Sequence, residues 1–418
     1  MRKALLAGVL SGLGCAAMAQ SGLTYYKDIE PILLNNCSGC HKEDGIAPFP
    51  LLSYDDVKKR GDFLVKVTKT RYMPPWKADP TFQTYKNELI LPDSTLATIE
   101  NWVKAGMPRG KKVTHAAPLA HPENLARPDL SVKMLRPHKL SATGLEDFRY
   151  FVIPTNLPEH TWISSIEFVP GNKRAVHHTR IMVDTTQMMR SMDGISARDP
   201  LVAEYQKIPI LEEFLYGWAP GNTPIFFPPG TAKLLPRGTD FILNVHYSPS
   251  ARVQEDQSTI NVYFARTPSN REILTLTLRE ADISNQPFFI PAGTTPSFFF
   301  SVPVKKDISV ISVLPHMHYL GKNFRAFAVT PSGEVINLIR INSWDFRWQT
   351  MYQFKKMLHI PAGSVIVAEA MFDNTADNPD NPTSPPKDVG FGWNTTDEMC
   401  NLVMYFLEYQ EGDEEIEY

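Results

Sequence analysis

The sequence predicts a mainly β protein with a small all-α unit at its front. Three observations carry this. From about residue 143 onward, short apolar runs are cut by turn residues every ten positions or so, the pattern of a sandwich or jelly roll. Before residue 112 the apolar positions follow a helical period instead. The 418 residues include 35 prolines and 23 phenylalanines, which suit turns and strands better than a helical bundle. A chain of this length has room for roughly two to four domains.

Residues 1–19 read as a signal peptide. Met1-Arg2-Lys3 is a charged start, Ala4 to Leu13 a short apolar stretch, and Ala17-Met18-Ala19 a small-x-small cleavage site. The stretch is too short to span a bilayer, and no later one is apolar for long enough. The expected product is periplasmic or secreted, with no transmembrane span. A second reading uses Leu13-Gly14-Cys15 as a lipid attachment site at Cys15. The formal charge of −3 offers no basic footprint, which excludes nucleic-acid binding. Of the four cysteines, Cys15 goes with the signal, Cys37 and Cys40 share one motif, and Cys400 is alone. No structural disulfide is expected.

Residues 21–112 carry three helical patterns. Thr24 is placed to cap a helix with Tyr25, Ile29, Ile32 and Leu33 on one face. Ser53 is placed to cap a second helix from Asp55 to Thr68. A third starts near Asp93, carries Leu96, Ile99 and Val103, and stops at Gly106. The first leads into Cys37-Ser38-Gly39-Cys40-His41, a C-x-x-C-H motif and the attachment signature of c-type haem. Two thiols on one turn reach the two vinyl groups, and the adjacent His41 falls under the iron. A chance motif and a redox C-x-x-C are the competing readings; no thioredoxin-like βαβ pattern surrounds this one.

Three short helices around one haem resemble a class I cytochrome c, which implies an electron-carrying domain over 21–112. The second axial ligand is then expected to be Met73, on the proline-stiffened loop Arg71-Tyr72-Met73-Pro74-Pro75-Trp76. Met107 is the competitor, just beyond the third helix. Histidine–methionine ligation leaves no open position, so this iron is expected to transfer electrons. That sets a haem peroxidase aside.

Residues 113–142 are rich in proline, alanine and charge, and read as an extended linker. His115, His121 and His138 within them are expected to be solvated. A first β domain is expected over 143–270, a second over 271–410, and a solvated acidic tail over 411–418.

Histidines punctuate the β-rich part. His177 and His178 are adjacent, so a regular strand would point them to opposite sides. Sharing one metal needs a bulge or coordination through different ring nitrogens. His246 sits on a later strand, with Asn244 on its side. Three such imidazoles suit copper or zinc equally well. His316 and His318 follow the apolar run Val310 to Val313, and residues two apart on a strand project together. They form a clamp for a metal, or else lie on a solvated strand edge. Met399, Asn401 and Val403 alternate onto one face, which by default is core packing.

His177-His178, His246, His316-Met317-His318 with Gly321, and Asp397-Glu398-Met399-Cys400-Asn401 occur in this order. Together they resemble the copper type II ascorbate-dependent monooxygenases, the family of peptidylglycine α-hydroxylating and dopamine β-monooxygenases, over residues 143–410. The resemblance implies two tandem jelly rolls facing each other across a cleft, with two copper ions. An electron-transfer copper would be held by His177, His178 and His246. A dioxygen-binding copper would be held by the catalytic set His316, His318 and Met399. A thioether is a good ligand for Cu(I) and a poor one for zinc, so Met399 selects copper.

The peptide-amidating member carries a substrate-anchoring arginine where this chain has Leu314, and a tyrosine where it has Val403; Asn401 matches. The resemblance therefore implies a hydroxylase of a small organic substrate with a more apolar pocket. C–H hydroxylation by dioxygen takes two electrons beyond those of the bond. These are expected to come through the haem from an external periplasmic or ascorbate-like reductant. A non-catalytic copper-binding or electron-transfer protein would keep the same six ligands.

Overall fold

The computed structural model describes residues 22–43, 45–114, 127–205, 207–222, 224–266 and 271–418. The signal segment, Cys15, His115 and His121 lie outside the described residues.

The helical front has its own core of Tyr25, Ile29, Leu33, Leu64, Ile99 and Trp102, with Val57 and Leu91. Its first helix opens as the wide turn Tyr25–Ile29 and continues as Glu30–Asn36. Thr24 does not cap it through its side chain; its N–H instead donates to Asp28 at 2.7 Å. Ser53 does cap its helix, in a reciprocal box with Asp56. The expected second helix is broken into Tyr54–Lys58 and Gly61–Lys69. Gly61 sits at the break, where the Met107 sulfur occupies the space a Cβ would need. The last helix is Asp93–Lys104, and Gly106 follows it at φ +81°. Among the described residues no helix is long and apolar enough to cross a membrane.

Two β-sandwiches follow. In the first, one sheet runs Leu130–Lys133, Thr259–Phe264, Thr161–Val169, Thr231–Leu235, Arg271–Glu272. The other runs Ile195–Ser196, Asp147–Pro154, Asp240–Tyr247, Val176–Asp184, Glu212–Trp218. In the second sandwich, the sheet Leu274–Leu278, Cys400–Glu408, Ile308–Met317, Tyr352–Ile360 covers the sheet Ser297–Pro303, Val365–Phe372, Gly321–Val329, Val335–Ile341.

The alternation along two strands of the second sandwich explains how the units meet. Val313, Met317, Cys400, Leu402 and Met404 point into its own core. Ile311, Val403, Tyr405 and Leu407 point the other way, into the core of the first sandwich, with Leu314 packed alongside. The Tyr405 hydroxyl donates to the Leu215 carbonyl across the boundary. One sheet is therefore covered on both faces, and its outward side chains are aimed at the first unit.

Three further expectations are corrected. The linker is not extended throughout. Leu130–Lys133 pairs with Thr259–Phe264, and His138–Leu140 pairs with Gln254–Asp256, so the first sandwich begins near residue 130. His138 is not solvated: it lies 3.0 Å from Asp147, between the Phe151 and Tyr247 rings. The acidic end is not a free tail. Asp413 is buried on Arg271 and Ser309, and the Tyr418 hydroxyl donates to the Ile311 carbonyl at 2.9 Å. Ile416 and Tyr418, interleaved with the acids, give that segment an apolar side to dock.

Residues 76–88 also leave the helical front. Ala78 and Tyr85 are buried in the second sandwich's core. Asp79 pairs with Arg340 at 2.8 Å, and the Tyr85 hydroxyl donates to the Leu338 carbonyl at 2.8 Å. The segment is a strap that ties the front of the chain to its last β unit.

Candidate metal centres

The first donor set is built by one irregularity. The Asp240–Tyr247 strand puts Phe241, Leu243, Val245 and Tyr247 inside its sandwich, so Asn244 and His246 face outward. Its neighbour pairs His178 with His246, but the next pair is Val176 with Tyr247. His177 is the extra residue of a β-bulge. Val176 therefore points into the core, while His177 and His178 both reach the outer face beside His246. The three imidazoles come within 4.8–5.3 Å, ring centre to ring centre.

Their ligand atoms all lie within 4.8 Å of one another. Nδ1 of His178 is 3.0 Å from Nδ1 of His177 and 3.4 Å from Nδ1 of His246. A metal at about 2.0–2.1 Å from each nitrogen needs nitrogen–nitrogen edges of about 3.3–3.6 Å; the 3.4 Å edge meets this, and the 3.0 Å edge needs only a small opening of the His177 ring to admit one. Phe148 stacks flat on His246 at 4.1 Å. Behind His246, Glu146 Oε1 lies 3.3 Å from Nε2.

The second set grows from strand alternation. His316 pairs with Asn401 and Met317 with Cys400, so the next position of the ladder sets His318 opposite Met399. Leu314 and Val403, the preceding outward pair, are packed into the core between the sandwiches. His316 Nδ1 is 2.6 Å from Gln349 Oε1, and His318 Nδ1 is 3.0 Å from the Asp397 carbonyl. Both acceptors fix the proton on Nδ1 and leave Nε2 for a metal. Glu398 accepts the N–H groups of His318, Leu320 and Met399 at 2.8, 2.6 and 3.2 Å. That one buried carboxyl knits the histidine strand to the methionine loop. Burial pushes its pKa up to about 8 against the pull of those three donors.

Burial also holds His177 and His316 down to about 4 and His318 to about 3, with His178 well below the ordinary range. These four imidazoles are neutral near pH 7, with lone pairs to offer. The cleft implied between the two sets is closed where they meet. The rings of His178 and His316 are 6.3 Å apart. Phe346 fills the junction, touching His177, His178 and His318.

In the helical front, Cys37 and Cys40 are free thiols on the turn after Glu30–Asn36. His41 Nδ1 is 3.0 Å from the Phe49 carbonyl, which orients the ring and frees Nε2. Two thiols and an oriented imidazole on one turn fit covalent haem. Met73 closes the Gly61–Lys69 helix through its N–H to the Val67 carbonyl at 3.0 Å. The Met107 sulfur is committed to the space beside Gly61. Gly221, at φ +94°, brings the first sandwich against this turn: a Cβ there would be 3.6 Å from the Cys40 sulfur. A cavity of about 410 Å³ separates the two units, lined by Ala47, Pro48, Arg174, His177 and Pro220 among others.

Sequence reasoning missed Glu146, Gln349 and Phe346, which come from elsewhere in the chain and carry no local signal. Glu398 stands beside Met399 in the motif, but its three backbone contacts exist only in the folded loop.

Residues 297–416 match the family model of the copper type II ascorbate-dependent monooxygenase C-terminal domain. The span holds His316, His318 and Met399 and supports that family, a class of copper-dependent oxidoreductases that use dioxygen and a reductant. The trio at 177, 178 and 246 and the helical front lie outside it. No curated protein matches the chain. Among solved structures, the chain is similar to the major capsid protein P2 from bacteriophage PM2, at 7% identity over 64% of this chain and 100% of that one, TM-score 0.25. It is also similar to the VP2 subviral particle of infectious bursal disease virus, at 10% identity over 71% and 76%, TM-score 0.19. Neither likeness bears on function.

Proposed function

We propose that the protein is a copper-dependent monooxygenase that hydroxylates an aliphatic C–H bond of a small organic substrate with dioxygen. Electrons are supplied through a c-type haem on the helical front. The observation that carries the reading is the meeting of two chemically different donor sets. Three imidazole nitrogens from the first sandwich face two imidazoles and a thioether position from the second, with rings 6.3 Å apart.

Bound copper supplies one-electron chemistry at both sets and a coordination position for dioxygen at the thioether set. The residues divide the work. His177, His178 and His246 offer only nitrogen, on a rigid sheet face that needs little reorganisation. His316, His318 and Met399 combine nitrogen with a soft sulfur that favours the reduced ion, and three donors leave a position open. Gln349 and the Asp397 carbonyl hold the two rings in one tautomer. Phe346 and Trp344, whose indole N–H donates to the His318 carbonyl at 3.1 Å, wall the junction.

Support for electron supply from the front lies at the Cys40–His41 turn, with Met73 proposed as the second axial ligand. Cys40 packs against Gly221, and the neighbouring Pro220 borders the same cavity as His177. The loop just after that turn and the trio therefore border one shared cavity. The 1–19 signal would export the chain, and a periplasmic reductant would reduce the haem.

Metal analysis of the purified full-length protein tests the reading. Copper near two and haem near one per chain is the expected result. Oxygen uptake should be matched by hydroxylated product, and pre-reduced haem should oxidise when the trio is loaded with copper(II). Copper bound without any product would favour a copper-binding electron-transfer protein. A haem that stays reduced would remove the electron route.

A further inference from the structure

We infer that Glu146 is a positioning residue that braces both donor sets from a single carboxylate. It stands two residues before Phe148, which is paired with His246 across the ladder. This puts the carboxylate beyond the ring Phe148 covers. Its Oε1 lies 3.3 Å from His246 Nε2, within ion-pair distance of a buried nitrogen that makes no hydrogen bond among the described residues. Its Oε2 accepts the Thr395 hydroxyl at 2.5 Å.

Thr395 belongs to the loop that carries the second set. Asn394 donates to Asp397 through its backbone and its side chain, at 3.1 and 2.7 Å. The Asp397 carbonyl holds His318, and Glu398 holds the backbones of His318 and Met399. The chain of contacts thus runs from His246 through Glu146 and Thr395 to His318 and Met399.

Two consequences follow. A carboxylate behind Nε2 keeps the His246 proton there and turns Nδ1 toward His178, the tautomer that a shared metal requires. The same carboxylate fixes the Thr395 loop relative to the trio, so disturbing it loosens the methionine side as well. The inference rests on the copper reading above.

The test uses the full-length protein with copper(II) and, anaerobically, copper(I), each titrated against a competing chelator. Electron paramagnetic resonance reads the copper(II) site. E146A should weaken copper(II) about 10–100-fold, the usual effect of losing such a support, with an altered hyperfine pattern. It should also weaken copper(I) binding. E146Q, whose carbonyl oxygen can stand in the same place before Nε2, should recover most of the copper(II) affinity. T395V should weaken copper(I) alone.

Both affinities within twofold of wild type in folded E146A would overturn the inference. A loss confined to copper(II), with T395V silent, would overturn the brace between the sets. If E146A does not fold, E146Q and T395V decide by the same criteria. A wild-type chain that binds no copper overturns this inference and the proposed function together. Copper-binding wild type with an indifferent E146A overturns this one only.

Discussion

The two donor sets reach similar chemistry by different construction. The trio lies within one sheet, and its geometry is written in backbone register: one bulged residue, His177, turns two adjacent histidines to the same face. Glu146 is the polar side chain described behind it, beside the Phe148 ring stacked on His246. The second set spans the end of a strand pair and the loop beyond, and side chains set its geometry: Gln349, Glu398 and Trp344 pin it, together with the Asp397 carbonyl. A site fixed by register should tolerate polar substitutions nearby, Glu146 excepted, and fail on insertion or deletion. A site fixed by hydrogen bonds should do the reverse.

The largest expected effect falls on the second set. Met399→Ile keeps the volume and removes the only soft donor, so oxygen uptake with product should fall to background. The copper(II) spectrum of the trio and the haem spectrum should not change. Residual turnover near wild type would show that Met399 packs and does not ligate.

Next comes the bulge. Deleting His177 restores a regular ladder, in which Val176 still faces the core opposite Tyr247 and His178 alone is left on that strand to face outward beside His246. Copper(II) affinity at the trio should drop by well over 100-fold, while copper(I) binding at His316 and His318 stays within a few-fold. Deletion of a residue this close to a core strand also costs stability, so the thermal midpoint should be read alongside. His177→Ala, which keeps the bulge, separates loss of the ligand from loss of the register.

Glu398→Gln probes the opposite construction. An amide has one acceptor oxygen in place of two, so at least one of the three N–H contacts is lost and left buried. Copper(I) affinity should fall about 10–100-fold, with copper(II) binding at the trio within twofold. Equal losses at both sites would erase the contrast between the two.

How much of this was legible in the sequence follows the same division. Period two alone puts His316 and His318 on one side. Adjacency alone says that His177 and His178 need a bulge or different ring nitrogens to share a metal, and a bulge is present. The alternation of short strands likewise foretells a mainly β chain. Glu146, Gln349 and Phe346 were not legible, because they approach from other strands and loops. The strap at 76–88 and the docked end at 413–418 were hidden for a related reason. Their polar residues look solvated until a partner such as Arg340 or Arg271 arrives from far along the chain.

The smallest effect asks whether the second unit's dependence on side-chain hydrogen bonds extends beyond its metal set. Asp79 holds the strap there. It accepts from the Thr81 hydroxyl and N–H, from Asn342 and from Arg340, and these contacts keep its carboxyl well below the usual range. A carboxylate with a depressed folded pKa stabilises above the ordinary aspartate value of about 4. That contribution is lost as pH falls below it, when the unfolded chain takes up a proton the folded one resists. Amide exchange over residues 76–88, normalised to intrinsic rates, should therefore be slow at pH 7 and faster at pH 3. Asp79→Asn should exchange faster already at pH 7, by about 1–3 kcal/mol of local opening free energy, and lose most of the pH dependence. Neither change should reach the trio. A copper(II) spectrum that shifted with Asp79→Asn would mean the two β units are more tightly coupled than their separate construction implies.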